Sequence, residues 1–286
     1  MMSWTRRRIE ERIFKVLMLA STVIVIGSLT VIIGTVVVKS LPALRLSMLT
    51  QTPTGGYYLG KSGGILNAIV GSLYLASGAT LLAFGLSLPI VLYLNLYSKR
   101  SSTLAVFTRF SLDVLWGIPS IVYGAFGFIV MMFLGMRASL LAGIIAVGLL
   151  EIPIMARAMD EVIRLVPRAL ADASYSLGAT KLETALKIVV RQSLPGILTA
   201  VLIAFGRGIG DAASVLFTAG FTDNIPTSLL QPAATLPLAI FFQLGTPFPE
   251  VQQRAYASAA ILTLIVLAVS LGSRYLIRKF TRHTLK

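Results

Sequence analysis

Long, almost uncharged apolar stretches recur along the chain and restrict what it can fold into. They lie near residues 13–38, 64–97, 106–134, 139–160, 196–220 and 256–278. An α-helix of about 20 apolar residues crosses the ~30 Å hydrocarbon core of a bilayer, and each stretch reaches that length. The sequence therefore predicts an all-α membrane protein with about six transmembrane helices.

The amino-acid composition fits lipid as the surrounding solvent. Of the 286 residues, 56% are hydrophobic and only 13% are charged, whereas about a quarter are charged in soluble domains. A soluble fold of this size could not cover its surface with so few polar groups. Because the chain has no cysteine and one histidine, we expect no metal site and no cofactor.

The formal charge of +14 has a distribution typical of membrane proteins. Nucleic-acid binding needs basic residues on one stripe of a folded domain, whereas here they flank the apolar stretches, so no nucleic-acid partner is expected. With both termini in the cytoplasm, 19 Lys and Arg residues lie in inner segments and 5 in outer segments. This bias predicts a multi-pass protein of the inner (plasma) membrane with cytoplasmic N- and C-termini. Residues 1–63 would form an N-terminal cytoplasmic tail, the first transmembrane helix and an outer loop.

A nucleotide-binding pattern occurs at residues 55–62, which read GGYYLGKS. The phosphate-loop mechanism needs a buried strand before this pattern and a soluble helix after it. Here a polar segment precedes the pattern and a membrane span follows it. We therefore interpret these residues as a glycine-rich turn that leads into the second span.

The spans are not expected to be uniform rods. Gly117 and Pro119 interrupt the third span, and Pro153 lies within the fourth. Such breaks are tolerated only where neighbouring protein or a water-filled cavity satisfies the backbone groups that they release.

The segment between the fourth and fifth spans, residues 157–195, is expected to be the longest cytoplasmic excursion. Leu170 and Ala173 recur at helical spacing, Gly178 permits a sharp turn, and a second helix is expected from near Thr180. The short first helix has two possible uses, which are docking on a partner protein and resting in the lipid interface. Its small residues and the glycine break favour docking.

Two opposite charges lie within the predicted fifth span. Arg207 and Asp211 are four residues apart, so a continuous helix would place them on one face. A charge at bilayer depth must face protein or water and marks a functional site by default. Because the planar fork of arginine binds oxyanions through parallel hydrogen bonds, we expect Arg207 to contact substrate in a translocation path. Asp211 would hold the arginine in the empty path, and Arg157 is a second candidate; a pair that only locks helices together is the alternative.

Several stretches resemble the permease subunits of ABC importers. The stretch RALADASYSLGATK is similar to their so-called EAA loop. The acidic residue of that loop corresponds to Asp172, its alanines to Ala173 and Ser174, and its glycine to Gly178. The stretch GRGIGDAASVLFTAG is similar to the phosphate-permease signature of Arg, two residues and Gly-Glu. WGIPSIVYGAFG and the residues that lead to LVPRAL also resemble phosphate permeases of the PstA type.

This resemblance implies a type I importer permease (MetI-like) fold whose core covers residues 64–286. It implies that the four EAA-loop positions couple the chain to an ATP-binding subunit dimer, which hydrolyses ATP, so that the chain itself is not an enzyme. A sister permease in a heterodimer, an external phosphate-binding protein and phosphate itself are the further partners that it implies.

Three other functions remain as alternatives. An importer of another oxyanion, such as molybdate, sulfate or phosphonate, would use the same arginine chemistry. A secondary transporter or channel would need matching broken segments in two halves of the chain. A membrane enzyme would need a nucleophile with a base, or a metal cluster. The sequence provides no convincing example of the features that the last two require.

Overall fold

A computed structural model describes residues 4–54, 62–99 and 101–280, which are mostly helical. Its elements in chain order are α1 (Trp4–Ser40), α2 (Leu46–Thr50), β1 (Pro53–Thr54), β2 (Ser62–Gly63), α3 (Leu66–Leu92), α4 (Thr103–Trp116), α5 (Ser120–Phe133), α6 (Leu140–Arg164), α7 (Arg168–Ser176), α8 (Lys181–Glu183), α9 (Val190–Ile209), α10 (Leu236–Leu244) and α11 (Pro249–Phe280). A π-helical turn at Tyr93–Tyr97 follows α3, and a second at Thr184–Val189 joins α8 to α9. β1 and β2 pair antiparallel. The glycine-rich segment interpreted as a turn lies outside the described residues, except for Ser62.

Five helical segments of the described chain are long and apolar enough to cross a membrane. They are Arg8–Ser40, Leu66–Tyr97, Leu140–Arg164, Lys181–Ile209 and Pro249–Tyr275. The pair α4 and α5 passes the same test as a unit, but its two helices meet at an angle of 100°. The prediction of about six spans is confirmed when this bent pair counts as one. The third span is broken where Gly117 and Pro119 predicted an interruption, whereas the fifth span ends earlier than expected.

The third span is broken at residues 117–119. α4 and α5 have 14 residues each, which gives about 21 Å per helix and is too short to cross ~30 Å alone. Gly117 caps α4, and Pro119 is the N-cap of α5; proline lacks an N–H group and disfavours helix in the residue before it. The Tyr123 hydroxyl donates a hydrogen bond of 2.8 Å to the Leu115 carbonyl, which also accepts from the Ile118 amide at 3.2 Å, so α5 bonds directly to the end of α4.

The fifth span is helical only as far as Ile209. Gly210 caps α9, and turns and irregular backbone follow up to Thr235. The expectation of one helix through residues 196–220 is therefore wrong. We call residues 210–235 the post-α9 segment.

Other parts of the chain satisfy the backbone of the post-α9 segment, as non-helical backbone at membrane depth requires. The Ser139 amide donates to the Thr218 carbonyl at 2.9 Å, and the Asn67 side-chain amide donates to the Thr222 carbonyl at 2.7 Å. These bonds fix the segment against the start of α6 and the start of α3.

α6 is the central helix of the fold. It packs against α3, α4, α5 and α9, and 72% of its most apolar window is buried. α1 is peripheral, because it packs on α11 and its corresponding window is 0% buried. An apolar helix whose side chains stay largely uncovered by protein is the expected form of a lipid-facing span.

A fully buried carboxylate, Asp160, joins three helical segments near the end of α6. Arg109 of α4 donates to it from Nε at 2.9 Å and from Nη2 at 3.2 Å, and Asn95 of the first π-helical turn donates from Nδ2 at 2.7 Å. Arg164 and Arg157 of α6 lie 3.1 and 3.5 Å from the same carboxylate. These five residues form the Asp160 cluster, which fastens α4 and the end of α3 to α6.

Replacing Asp160 by Asn should destabilise the protein strongly. Removing one partner of a buried ion pair leaves unpaired charge and costs about 3–5 kcal/mol. We expect the midpoint of thermal unfolding in detergent to fall. Lys187→Gln is the control because it removes an exposed ion pair with Glu183, and it should leave the midpoint unchanged. Equal midpoints for Asp160→Asn and the wild type would contradict this account of the cluster.

Candidate translocation site

Arg207 lies in the last turn of α9, on the exposed face of that helix. Ile203, one turn earlier, is 53% exposed, whereas Ala204 and Gly208 are buried on the opposite face. Among the residues that the structure describes, none forms a hydrogen bond or an ion pair with the Arg207 side chain. Within the described chain, Arg207 thus projects without a partner from the apolar second half of α9.

Asp211 does not pair with Arg207. Its carboxylate, 9% exposed, accepts a hydrogen bond of 2.8 Å from the Ser214 backbone amide and a second from the Ser214 hydroxyl. The predicted Arg207–Asp211 pair on one helix face is wrong, because the helix ends at Gly210, between the two residues. Asp211 instead fixes the turn that begins the post-α9 segment.

The turn held by Asp211 packs directly on α5. A β-carbon at Gly124 of α5 would lie 2.8 Å from the carbonyl oxygens of Ala213 and Ser214, so only glycine allows this approach. The broken third span and the irregular segment after α9 therefore meet beside the end of the helix that carries Arg207.

Arg157 occupies a different environment, within α6 and beside α4. Its side chain is 18% exposed, and its Nε atom lies 2.5 Å from the Asp113 carboxylate. The N–H group is not directed at that oxygen, so the contact is an ion pair without an aligned hydrogen bond. No group of three or more His, Asp or Glu residues in the described chain could hold a metal ion.

The sequence interpretation missed Asp160 and Arg109. The spacing of Arg157, Asp160 and Arg164 along α6 was a usable signal, because residues three and four apart are neighbours on a helix. No local pattern could have indicated that Arg109 reaches the same carboxylate from α4.

Two contacts place the candidate arginines at different depths. Gly208 of α9 packs on Glu151 of α6, and Gly196 packs on Val162, so the two helices are antiparallel. Arg207 therefore lies level with Glu151, and Arg157 is six residues further along α6. At 1.5 Å per residue, this is about 9 Å closer to the end of α6 that leads into α7.

The helix–turn–helix expected in residues 157–195 is confirmed. Its first helix is α7, Gly178 turns the chain with φ of +84°, and Thr180 caps the next helix. The Thr180 hydroxyl accepts from the Glu183 amide at 3.2 Å, and the Thr180 amide donates to the Glu183 carboxylate at 3.0 Å. This reciprocal capping box fixes where the second helix begins.

The exposed surface of α7 includes two of the expected coupling residues. α7 buries no residue against the rest of the chain, and Asp172 and Ala173 are exposed. Ser174 instead shares a hydrogen bond of 2.9 Å with the Thr184 hydroxyl of the following helix. Leu177, beyond the end of α7, is 89% exposed.

The sequence and fold both match known transport proteins. Residues 85–284 match the family described as binding-protein-dependent transport system inner membrane component. The chain is 35% identical to the phosphate transport system permease protein PstA of Yersinia pestis, over 96% of this chain and 92% of that protein.

Solved structures share the fold at low sequence identity. A chain of the inward-facing MetNI methionine ABC transporter matches with a TM-score of 0.60 at 18% identity, over 75% of this chain and 95% of that one. A chain of a bacterial alginate ABC transporter, in complex with its alginate pentasaccharide-bound periplasmic protein, matches with a TM-score of 0.63 at 14% identity, over 99% of both chains. These matches confirm the expected MetI-like importer permease fold. The chain therefore belongs to the family of binding-protein-dependent transport system inner membrane components, in the branch that contains the PstA phosphate permeases.

Proposed function

We propose that this chain is the transmembrane permease subunit of an ATP-driven phosphate importer and forms the translocation path together with a sister permease. An external phosphate-binding protein delivers the substrate, and a dimer of ATP-binding subunits hydrolyses ATP. The family match and the phosphate permeases among its relatives support this proposal. The positive-inside bias supports a cytoplasmic location for both termini and for residues 157–195.

Arg207, which is exposed and has no partner among the residues that the structure describes, carries the proposal. An arginine that faced acyl chains at the helix centre would cost about 2.5–3.5 kcal/mol even on the lowest scales. The face of α9 with Arg207 is therefore assigned to water and a second protein rather than to lipid. The irregular backbone beside it supports the same assignment, because such backbone is tolerated where it is covered by protein or lines a cavity.

Arg157 provides a second, deeper position for the anion. A phosphate that leaves Arg207 meets Arg157 about 9 Å closer to the cytoplasmic end of α6. Arg157 is already next to the carboxylates of Asp113 and Asp160, which compete with an incoming anion. Weak binding at this position favours release, and transport requires release as well as capture.

Asp211 has a supporting role in this path. By accepting two hydrogen bonds from Ser214, it holds the turn against Gly124 and keeps the end of α9 open at Arg207.

We assign energy coupling to the helix–turn–helix of residues 157–195. The exposed surface of α7, with Asp172 and Ala173, docks on the ATP-binding subunit, and Ser174 ties α7 to the next helix through Thr184. That helix continues without a break from Lys181 to Ile209, over about 43 Å. Movement of α7 is therefore transmitted along one continuous helix to Arg207 near its far end.

Replacing Arg207 by Lys tests whether the guanidinium fork binds the substrate. The variant keeps the charge and loses the bidentate geometry, so we expect phosphate uptake to fall about tenfold or more, as for the loss of one charge-assisted hydrogen bond. The assay is radiolabelled phosphate uptake by proteoliposomes that hold all subunits, with sulfate and molybdate as competitors.

Arg45→Lys, at an exposed position outside the spans, is the matched control for that exchange. Normal uptake by Arg207→Lys would contradict bidentate recognition. Competition by sulfate or molybdate as strong as that by phosphate would assign the chain to another oxyanion importer.

Thiol labelling tests whether residue 207 faces water. The chain has no cysteine of its own, so Arg207→Cys introduces a single reactive thiol. A membrane-impermeant methanethiosulfonate should label it, and phosphate should slow the reaction. Val25→Cys, on the uncovered apolar face of α1, should not react. If position 207 reacts as slowly as position 25, its face lies in lipid and the proposed path is wrong.

Substitutions of Gly178 test the coupling role. No described atom lies within 4 Å of a β-carbon built at Gly178, so a side chain at this position would not clash. The substituted residue would still have to adopt the left-handed backbone conformation of Gly178, which costs most residues about 1–2 kcal/mol. We expect Gly178→Val to reduce phosphate-stimulated ATPase activity severely. Gly178→Asn should stay near wild type, because asparagine tolerates this conformation. If both variants fail equally in a complex that still assembles, the turn conformation is not what couples the subunits.

A further inference from the structure

Glu151 is a fully buried acidic group at membrane depth that, unlike Asp160, has no basic partner within the described residues. It lies in the middle of α6, its side chain is 0% exposed, and neither carboxyl oxygen has a hydrogen-bond partner. Within the described residues no basic side chain lies close enough to form an ion pair with it. Burial without a cation or a donor disfavours the charged form of a carboxyl group.

The groups around Glu151 belong to two other helices. On one side is the buried Thr80 hydroxyl of α3, which lies close to the carboxyl group but forms no hydrogen bond of ordinary distance and angle with a described residue. On the other side is Gly208 of α9, where a β-carbon would overlap Glu151 Oε1 and lie 3.0 Å from Val147 Cγ1. The carboxyl group therefore occupies the space that any side chain at position 208 would need. Gly206, two residues earlier, has no atom within 4 Å of its β-carbon position.

We propose that Glu151 remains protonated within the membrane and acts as the positioning residue for Arg207. The neutral carboxyl group wedges between α3 and α9 and sets how closely Gly208 approaches α6. Arg207 is the preceding residue, so this spacing keeps its side chain on the open face of α9. A protonated carboxyl group has one O–H donor, and the Thr80 hydroxyl is the neighbouring acceptor. This inference about Glu151 depends on the proposed function in one respect, which is the role of Arg207 in transport.

Paired glycine substitutions in α9 test this contact. Gly208→Ala should displace the Glu151 carboxyl group. Gly206→Ala makes the same chemical change on the same helix, at a position where the added methyl group meets no described atom. In the Arg207→Cys background, we expect Gly208→Ala to change the thiol-labelling rate about fivefold or more, and Gly206→Ala to change it less than twofold. With Arg207 in place, Gly208→Ala should also raise the KM for phosphate uptake. Equal effects of the two alanines would overturn the proposal.

Substitutions of Glu151 separate packing from charge. Combining Glu151→Ala with Gly208→Ala removes the overlapping atoms, so the double variant should recover a labelling rate and a KM closer to wild type than Gly208→Ala alone. Glu151→Gln keeps the shape without an ionisable proton and should stay within about twofold of wild type. Loss of uptake in Glu151→Gln, or no recovery in the double variant, would contradict the proposed positioning role of Glu151.

The labelling assay needs no phosphate, which separates this inference from the proposed function. A labelling change in Gly208→Ala without any change in uptake would support the positioning contact. The same result would contradict a role for Arg207 in the path.

Discussion

Hydrocarbon offers no partner to a backbone amide, a carbonyl or a charge, so each of these groups at membrane depth depends on the protein itself. The fold meets this requirement around α6. The helices beside it satisfy their own backbones, and the post-α9 segment takes bonds from other parts of the chain. Ser72 of α3, for example, accepts a hydrogen bond of 2.7 Å from the Leu236 amide, which secures the far end of that segment.

The arginines at membrane depth fall into two groups, according to whether the chain supplies a counter-charge. Arg109 donates two hydrogen bonds to a carboxylate that is 0% exposed, and a buried pair of this kind resists rearrangement, because separating its members is costly. Arg207 has no such partner within the described residues and lies on an open face. The first arrangement is suited to holding helices together. The second leaves a strong oxyanion-binding group available to a molecule that is not part of the chain.

The helix from Lys181 to Ile209 relates the proposed coupling surface to the proposed path. At one end, a glycine with φ of +84° and a capping box set the angle at which α7 meets the helix. At the other end, the helix stops at Gly210, and Gly208 packs on the carboxyl group of Glu151. Both ends are thus defined by close local geometry, while the length between them is continuous helix that includes a π-helical turn at Thr184–Val189 and Pro195. A continuous helix of this length is suited to carrying small shifts from one end to the other.

The sequence by itself determined the features that depend on short stretches of the chain. Apolar length predicted the spans, since a bilayer of fixed thickness requires it, and Gly178 with Thr180 predicted a turn between two helices. The residues around Arg207 indicated the family together with the EAA-like loop, WGIPSIVYGAFG and the stretch that leads to LVPRAL. Gly117 and Pro119 marked a break in the third span, but its 100° angle depends on the packing of α4 and α5.

Only the tertiary structure decided which charged groups meet. Four-residue spacing suggested that Arg207 and Asp211 were partners, but the helix ends between them and Asp211 bonds to Ser214. The Asp160 cluster and the contact of Glu151 with Gly208 bring together residues far apart in the chain. No local pattern encodes such contacts, because they depend on how whole helices pack, and packing responds to every side chain along each interface at once.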